Sequence, residues 1–171
     1  MLKSLIELIK SIIIAIIAAI LIITFVFETV SVDGQSMFPT LNHKDRLIVQ
    51  KVSYYFSKPK KGDIIVFKYP SDTREKFIKR IVAVAGDKVK IENNKLYVNE
   101  VEVYEPYLNE KFINGSYNEV VVPENTFFVL GDNRNYSRDS RYPDVGFVNN
   151  KLIVGKASFR IYPFNRIGRI R

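Results

Sequence analysis

Three short stretches of this chain concentrate side chains able to do hydrolytic chemistry, each in or beside a turn between apolar segments. In VDGQSMFPTL, Ser36 stands between Gly34 and Pro39. The glycine lets the backbone approach a ligand closely or take a positive φ, and the proline fixes the chain after Met37 and Phe38. A nucleophilic serine fits this setting, and so does an ordinary Gly/Pro loop. In KFIKRIVAVAGD, Lys79 and Arg80 interrupt an otherwise apolar run. One of two adjacent strand residues points inward. A buried lysine tends to lose its proton, because desolvation lowers its pKa by several units from about 10.4, and it then serves as a general base for a serine. An edge strand with both side chains in water is the alternative. In LGDNRNYSRDSRYPDVGFV, the 11 residues from Gly131 to Arg141 hold two serines, two aspartates and three arginines. They form either a solvated loop or a network of ion pairs and hydrogen bonds that braces a site.

Composition removes several other chemistries. The 171 residues contain no cysteine, which excludes disulfides, thiol nucleophiles and Cys-based zinc sites. His43 is the single histidine, so a His-rich metal site is excluded too. It follows Ser36 by seven positions, and spacing alone does not dismiss a Ser/His pair. LNHKDR, however, reads as a turn leading into the strand RLIVQ, which predicts a surface histidine. The formal net charge of +8 suits an anionic membrane surface or nucleic acid, or simply a solvated lysine-rich surface.

The elements that must position these residues are of two kinds. From Ser11 to Phe27 the chain reads SIIIAIIAAILIITFVF without a charge, and Leu5, Ile6, Leu8 and Ile9 lengthen the apolar stretch. This predicts a membrane-spanning helix over 11–27 after a short segment 1–10. Lys3 and Lys10 flank one end and Glu28 and Asp33 the other. The positive-inside rule then leaves the N-terminus in the cytoplasm and everything after Phe27 outside. A cleavable signal peptide is the runner-up, but ETVSVDG offers no convincing small-x-small cleavage site. Over 28–171 short runs rich in Val, Ile, Phe and Tyr, such as RLIVQKV, DIIVFKY and TFFVL, alternate with Gly, Pro, Asn and Asp. They predict a mainly β, antiparallel domain, with ENNK before Leu96 as a hairpin turn and the more polar region of about 90–123 as a hairpin insertion or small cap.

Taken together and in order, SMFPTL, KGDIIVFKYP, KRIVAVAGD and GDNRNYSRDSR after a single N-terminal span resemble the sequence boxes of bacterial type I signal peptidases. The short length and single span look like the class common in Gram-positive bacteria. The resemblance implies an antiparallel β-sheet catalytic domain of the signal peptidase/LexA-like kind. It implies a membrane-bound serine endopeptidase that removes signal peptides from exported preproteins after small residues at −1 and −3. Ser36 matches the acylated nucleophile, Lys79 the general base and Ser137 the serine whose hydroxyl orients that lysine. Asp139 with Arg141, and Arg80 with Asp132, match bracing ion pairs. Val30, Val32, Val66 and Ile78 match the lining of the shallow substrate pockets, and Met37, Leu41 and Phe77 fall in the same region. Some members carry a hydroxyl side chain two residues before the nucleophile, as an oxyanion donor. Here that position is Gly34, so the second donor is its backbone or water.

The implied mechanism is consistent with elementary acid–base chemistry. An unperturbed lysine is neutral in roughly 0.1% of molecules or fewer at pH 7, and lowering its pKa by about two costs roughly 2.7 kcal/mol in the folded state. Neutral Lys79 would take the Ser36 proton, protonate the leaving amine and later activate water, without metal or cofactor. The expected partners are signal peptides, membrane phospholipids and the protein-export machinery. In the C-terminal FRIYPFNRIGRIR, Arg160, Arg166, Arg169 and Arg171 are expected either to meet anionic headgroups or to be solvated on a last strand. Other functions remain open at this point: a catalytically silent assembly factor, a self-cleaving LexA-like protease, or a basic anchored binding module. The charge is spread along the chain and an outward-facing domain would rarely meet nucleic acid, while the lack of an evident DNA-binding domain and the presence of an anchor speak against the LexA-like reading.

Overall fold

A computed structural model describes residues 2–110 and 112–170. The first element, α1 (Leu2–Val26), is a single long helix. Its apolar part, Lys3–Val26, has a mean hydropathy of 2.8, and its most apolar stretch is not buried against the described residues. At 1.5 Å per residue this stretch extends about 36 Å, enough to cross a hydrocarbon core of about 30 Å. The helix therefore begins before the predicted Ser11, and it stops one residue before Phe27. Its end is capped from outside: the Lys51 amide donates to the Val26 carbonyl (2.9 Å) and Lys51 Nζ to the Thr24 carbonyl (3.1 Å). A cation on the orphan carbonyls also suits the negative end of the helix dipole.

From Phe27 onward the chain is antiparallel β, as the alternating apolar runs predict. The large sheet contains β1 (Phe27–Ser31), β2 (Arg46–Gln50), β3 (Ile64–Tyr69), β4 (Asp72–Val84), β9 (Thr126–Leu130), β10 (Val148–Asn149), β11 (Ile153–Tyr162) and β12 (Gly168–Arg169). Its order is β1-β2-β11-β3-β4-β9-β10, with β12 on β11. The four-residue helix α2 (Ser53–Phe56) follows β2. Between β4 and β9 a second sheet is inserted, ordered β7-β6-β5-β8, from β5 (Lys88–Glu92), β6 (Lys95–Val98), β7 (Val101–Glu102) and β8 (Tyr117–Val121). Glu92 pairs with Lys95 across Asn93 (φ 51°) and Asn94 (φ 64°), the two positive φ values of a tight I′-type hairpin.

The position of β4 explains much of the site. It lies between β3 and β9, and residues 79–83 are buried without interruption, so both of its faces are covered. One apolar cluster on the sheet includes Ile65, Phe67, Ile81 and Val129, and another includes Val32, Met37, Leu41, Leu47 and Ile64. The expectation that only one of Lys79 and Arg80 points inward is therefore corrected: they are 4% and 2% exposed, on opposite faces of a doubly covered strand. Arg160 is also corrected. It is 8% exposed, its Nε lies 3.1 Å from Asp45 Oδ2, and its Nη2 donates to the Thr40 carbonyl (2.7 Å), so it is not available to headgroups. Arg166 and Arg169 lie nearer the surface, and Arg171 is outside the described residues.

Candidate active site

Ser36 sits on the loop that joins β1 to β2. Two backbone bonds close the base of this loop, Val32 N–H to Asp45 O and Lys44 N–H to Val32 O, both 2.8 Å. At its tip the chain is held from the far side of the sheet: the Asn133 amide donates to the Ser36 carbonyl (3.0 Å) and Asn133 Nδ2 to the Gln35 carbonyl (3.1 Å). The Ser36 side chain is thereby fixed facing β4, and Lys79 Nζ lies 2.9 Å from its Oγ. The same Nζ donates to the Ile78 carbonyl at 3.0 Å and lies 5.1 Å from the centre of the Phe77 ring. No carboxylate hydrogen-bonds Lys79 among the described residues. Burial lowers its pKa from 10.5 to about 8, against an opposing pull from the charges of Asp139 and Asp132. At pH 7 roughly a tenth of such lysines are neutral, with a lone pair free to accept the Ser36 hydroxyl proton.

Three ion pairs brace the floor of this arrangement. Arg80 donates to both oxygens of Asp132 (2.8 and 2.7 Å) and to the Gly62 carbonyl (3.0 Å), while Tyr107 stacks its ring 3.9 Å from the guanidinium. Thr40 Oγ1 donates to the same Asp132 (2.5 Å), which ties the serine loop to the pair. Arg141 is bidentate on Asp139 (2.8 and 2.9 Å). The third pair, Arg134 with Glu105, is bidentate at 2.6 Å, with the arginine side chain fully buried and the glutamate side chain nearly so. Sequence reasoning missed it. Arg134 stood in the polar cluster, but nothing local marked Glu105, 29 residues away in the inserted sheet region. Bidentate geometry is what makes buried pairs of this kind tolerable.

Gly131 is the other residue missed as an individual. Its amide donates to Asp139 Oδ2 (3.1 Å) and its carbonyl accepts from Arg134 Nε (3.0 Å), so two of the three pairs meet on its backbone. A Cβ placed on it would fall 2.2 Å from Ser137 Oγ and 2.4 Å from the Ser36 carbonyl oxygen. Glycine is needed here for space, since its φ is not positive. The dense polar run that begins with Gly131 was the available signal.

Other expected roles meet the geometry less well. Ser137 is buried against Gly131, and its Oγ has no hydrogen-bond partner, so the expected bond to Lys79 is not formed. Gly34 has φ +84°, and its amide donates to His43 Nδ1 (3.3 Å), which removes that amide as a ready oxyanion donor. The Ser36 amide makes no hydrogen bond among the described residues and stays available. His43 is exposed, lies 3.3 Å from Asp33, and makes no bond to Ser36. Its place is in the turn, holding the loop.

An open cleft of about 500 Å³ runs past Ser36 and Lys79. Val30, Val32, Met37, Phe77 and Ile78 supply its apolar wall, and Asp33, Glu75, Lys76 and Arg138 its charged rim. Leu41 and Val66 do not reach it. Both are 0% exposed: Leu41 packs in the cluster of Val32 and Met37, and Val66 stands opposite Ile78 on β3, so they support the wall from behind.

Residues 5–162 match the family described as signal peptidase, peptidase S26. The chain is 40% identical to signal peptidase I of Bacillus licheniformis, over 96% of this chain and 92% of the relative. It is 38% identical to signal peptidase I S of Bacillus subtilis, over 96% and 93%. Among solved structures it is similar to a signal peptidase I from Enterococcus faecalis, with a TM-score of 0.53 and 31% identity, over 60% of this chain and 98% of that one.

Proposed function

The chain belongs to the signal peptidase family, peptidase S26, and from that premise we propose that it cleaves signal peptides from exported preproteins with a Ser36/Lys79 dyad. The observation that carries the dyad is the 2.9 Å approach of a buried, carboxylate-free lysine to a serine hydroxyl. Neutral Lys79 accepts the proton as Ser36 Oγ attacks the scissile carbonyl. The resulting ammonium protonates the leaving amine, and the lysine, neutral again, activates the water that releases the acyl-enzyme. The Ser36 amide is one oxyanion donor, and water is the second, because the Gly34 amide is engaged by His43. Arg80, Asp132, Asp139 and Arg141 act as positioning residues. Ser137, whose hydroxyl has no other partner, is left to receive a hydrogen bond from Lys79 during turnover.

The small apolar wall of the cleft favours short side chains at −1 and −3 of the substrate, presented by Val30, Val32, Met37, Phe77 and Ile78. The helix α1 anchors the chain in the cell membrane, with residues 1–10 cytoplasmic and 28–171 on the outer side, in line with Lys3 and Lys10 before the apolar stretch. Membrane phospholipids and the export machinery are the partners this location would bring. Cleavage of a model preprotein by the full chain in detergent, with mass spectrometry of the new N-terminus, tests the reading. A cut after a small-x-small motif is expected. Ser36→Ala and Lys79→Ala should each lose at least about 10³-fold in kcat/KM, His43→Ala should keep most of it, and Ser137→Ala should fall between. Loss with His43→Ala as complete as with Ser36→Ala would refute the dyad.

A further inference from the structure

A second cavity, of about 520 Å³, opens where α1 leaves the membrane-facing edge of the sheet. Lys51, Lys68, Lys76 and Lys151 line it with a single carboxylate, Glu28. Four cations against one anion leave a local charge of +3. Lys51 is the residue that caps the end of α1. Lys68 and Lys76 stand directly opposite each other on β3 and β4. Like charges so placed destabilise a sheet unless something offsets them. Glu28 does so for Lys76 (2.5 Å). Lys68 and Lys151 are exposed and form no ion pair among the described residues. Lys51 meets only backbone carbonyl oxygen, so three of the four cations lining the site have no carboxylate partner among the described residues.

Its position says which anion. The cavity is tied by Lys51 to the last turn of α1, so it lies at headgroup height when that helix spans a bilayer. Tyr55 and Phe56, on α2 beside it, are 83% and 89% exposed, and aromatic side chains of this kind settle at the membrane interface. We propose that the lysine-lined cavity at the exit of α1 holds the phosphodiester headgroup of an anionic phospholipid. The proposal rests on the membrane reading of α1 and is independent of the Ser36/Lys79 dyad. It also differs from an arginine contact at the C-terminus: β1 pairs Phe27 with Gln50 at the cavity end, whereas the C-terminal end of β11 pairs with Arg46, opposite Ser31 at the other end of that strand pair.

The test uses the full chain, in detergent and in nanodiscs of phosphatidylcholine carrying increasing phosphatidylglycerol, with retained lipid counted by native mass spectrometry. Lys51 and Lys76 are left intact, because one caps α1 and the other also lines the catalytic cleft. Wild type should retain phosphatidylglycerol in preference to phosphatidylcholine. Each lysine near an anionic surface contributes about fivefold, so Lys68→Gln with Lys151→Gln should weaken retention roughly 25-fold, and Lys68→Glu with Lys151→Glu further. Cleavage of a short soluble peptide should be unchanged in both. Undiminished retention in the double glutamate variant would overturn the proposal, as would loss of retention on Arg166→Glu with Arg169→Glu in its place. Displacement of the lipid by an equal concentration of inorganic phosphate would also overturn it. Failure of the membrane reading itself would be visible separately, as a full chain that does not float with phosphatidylcholine vesicles.

Discussion

On one face of β4, Arg80 is enclosed by the Asp132 carboxylate, a backbone carbonyl and the ring of Tyr107. On the other face, one residue earlier, Lys79 is enclosed by a hydroxyl, a backbone carbonyl and the ring of Phe77. The surroundings differ chiefly in one carboxylate. A guanidinium stays charged at any physiological pH, so burying it requires a counter-charge. An amine has another way out, because it can release its proton. Withholding a single carboxylate from Lys79 therefore turns a structural cation into a base, and the fold carries the cost because the neighbouring cation is fully paired.

The largest effect that would break this contrast comes from Asp132→Ala. It leaves Arg80 buried without its carboxylate and should lower stability by about 3–5 kcal/mol in denaturant unfolding. A loss under about 1 kcal/mol would mean that Gly62 and Tyr107 suffice for the guanidinium.

Next in size is Lys79→Met, which removes the withheld-carboxylate strain together with the activity. Lowering the Lys79 pKa from 10.5 to about 8 corresponds to about 3 kcal/mol of destabilisation while the amine is protonated. Between those two values the unfolded chain binds more protons than the folded one, so wild-type stability rises with pH in that window. The methionine variant should therefore be about 3 kcal/mol more stable than wild type below pH 8, and the advantage should fade as pH climbs towards 10.5. In wild type the same ionisation should appear as an acidic limb of kcat/KM centred near pH 8. A stability difference that does not change between pH 8 and 10.5 would show that Lys79 is not desolvated as described.

Gly131→Ala sharpens the comparison from the opposite side, since it adds one methyl and alters no charge. Either Ser137 or the Ser36 carbonyl must yield to it, and a displacement of about 1 Å at the nucleophile costs about 10²-fold in kcat/KM. A rate within about threefold of wild type would mean that the loop relaxes around the methyl.

What the sequence made legible follows the range of the interactions. Short-range patterns were readable: the apolar helix, the strand texture and the Asn93–Asn94 hairpin each declare themselves within a few residues. The three polar stretches could be picked out, although their meeting in space depended on the resemblance rather than on spacing. The burial of both Lys79 and Arg80 was not readable, because alternation along one strand does not reveal that neighbouring layers cover both faces. The Arg134–Glu105 pair was hidden by distance along the chain, with one partner in a turn after β9 and the other 29 residues earlier, in the loop after β7. Leu41 and Val66 look like lining residues in sequence, since apolar wall and apolar core have the same composition. Arg160 looks like its solvated neighbours until Asp45 is seen beside it.

The chain passes from α1 to β1 with no intervening linker, Val26 ending one and Phe27 beginning the other, and Lys51 locks the joint. Val30 and Val32, three and five steps further along the same strand direction, stand on the wall of the cleft. At about 3.3 Å per step, four and six steps from Val26, these side chains lie at most about 13–20 Å from the end of the helix. Under the proposed topology the enzyme is thus a fixed-height gauge bolted to the bilayer. A substrate that is itself threaded through the membrane would present its bond for cutting only where some three to five extended residues separate that bond from its own apolar helix, so the joint measures where to cut before any side chain is read.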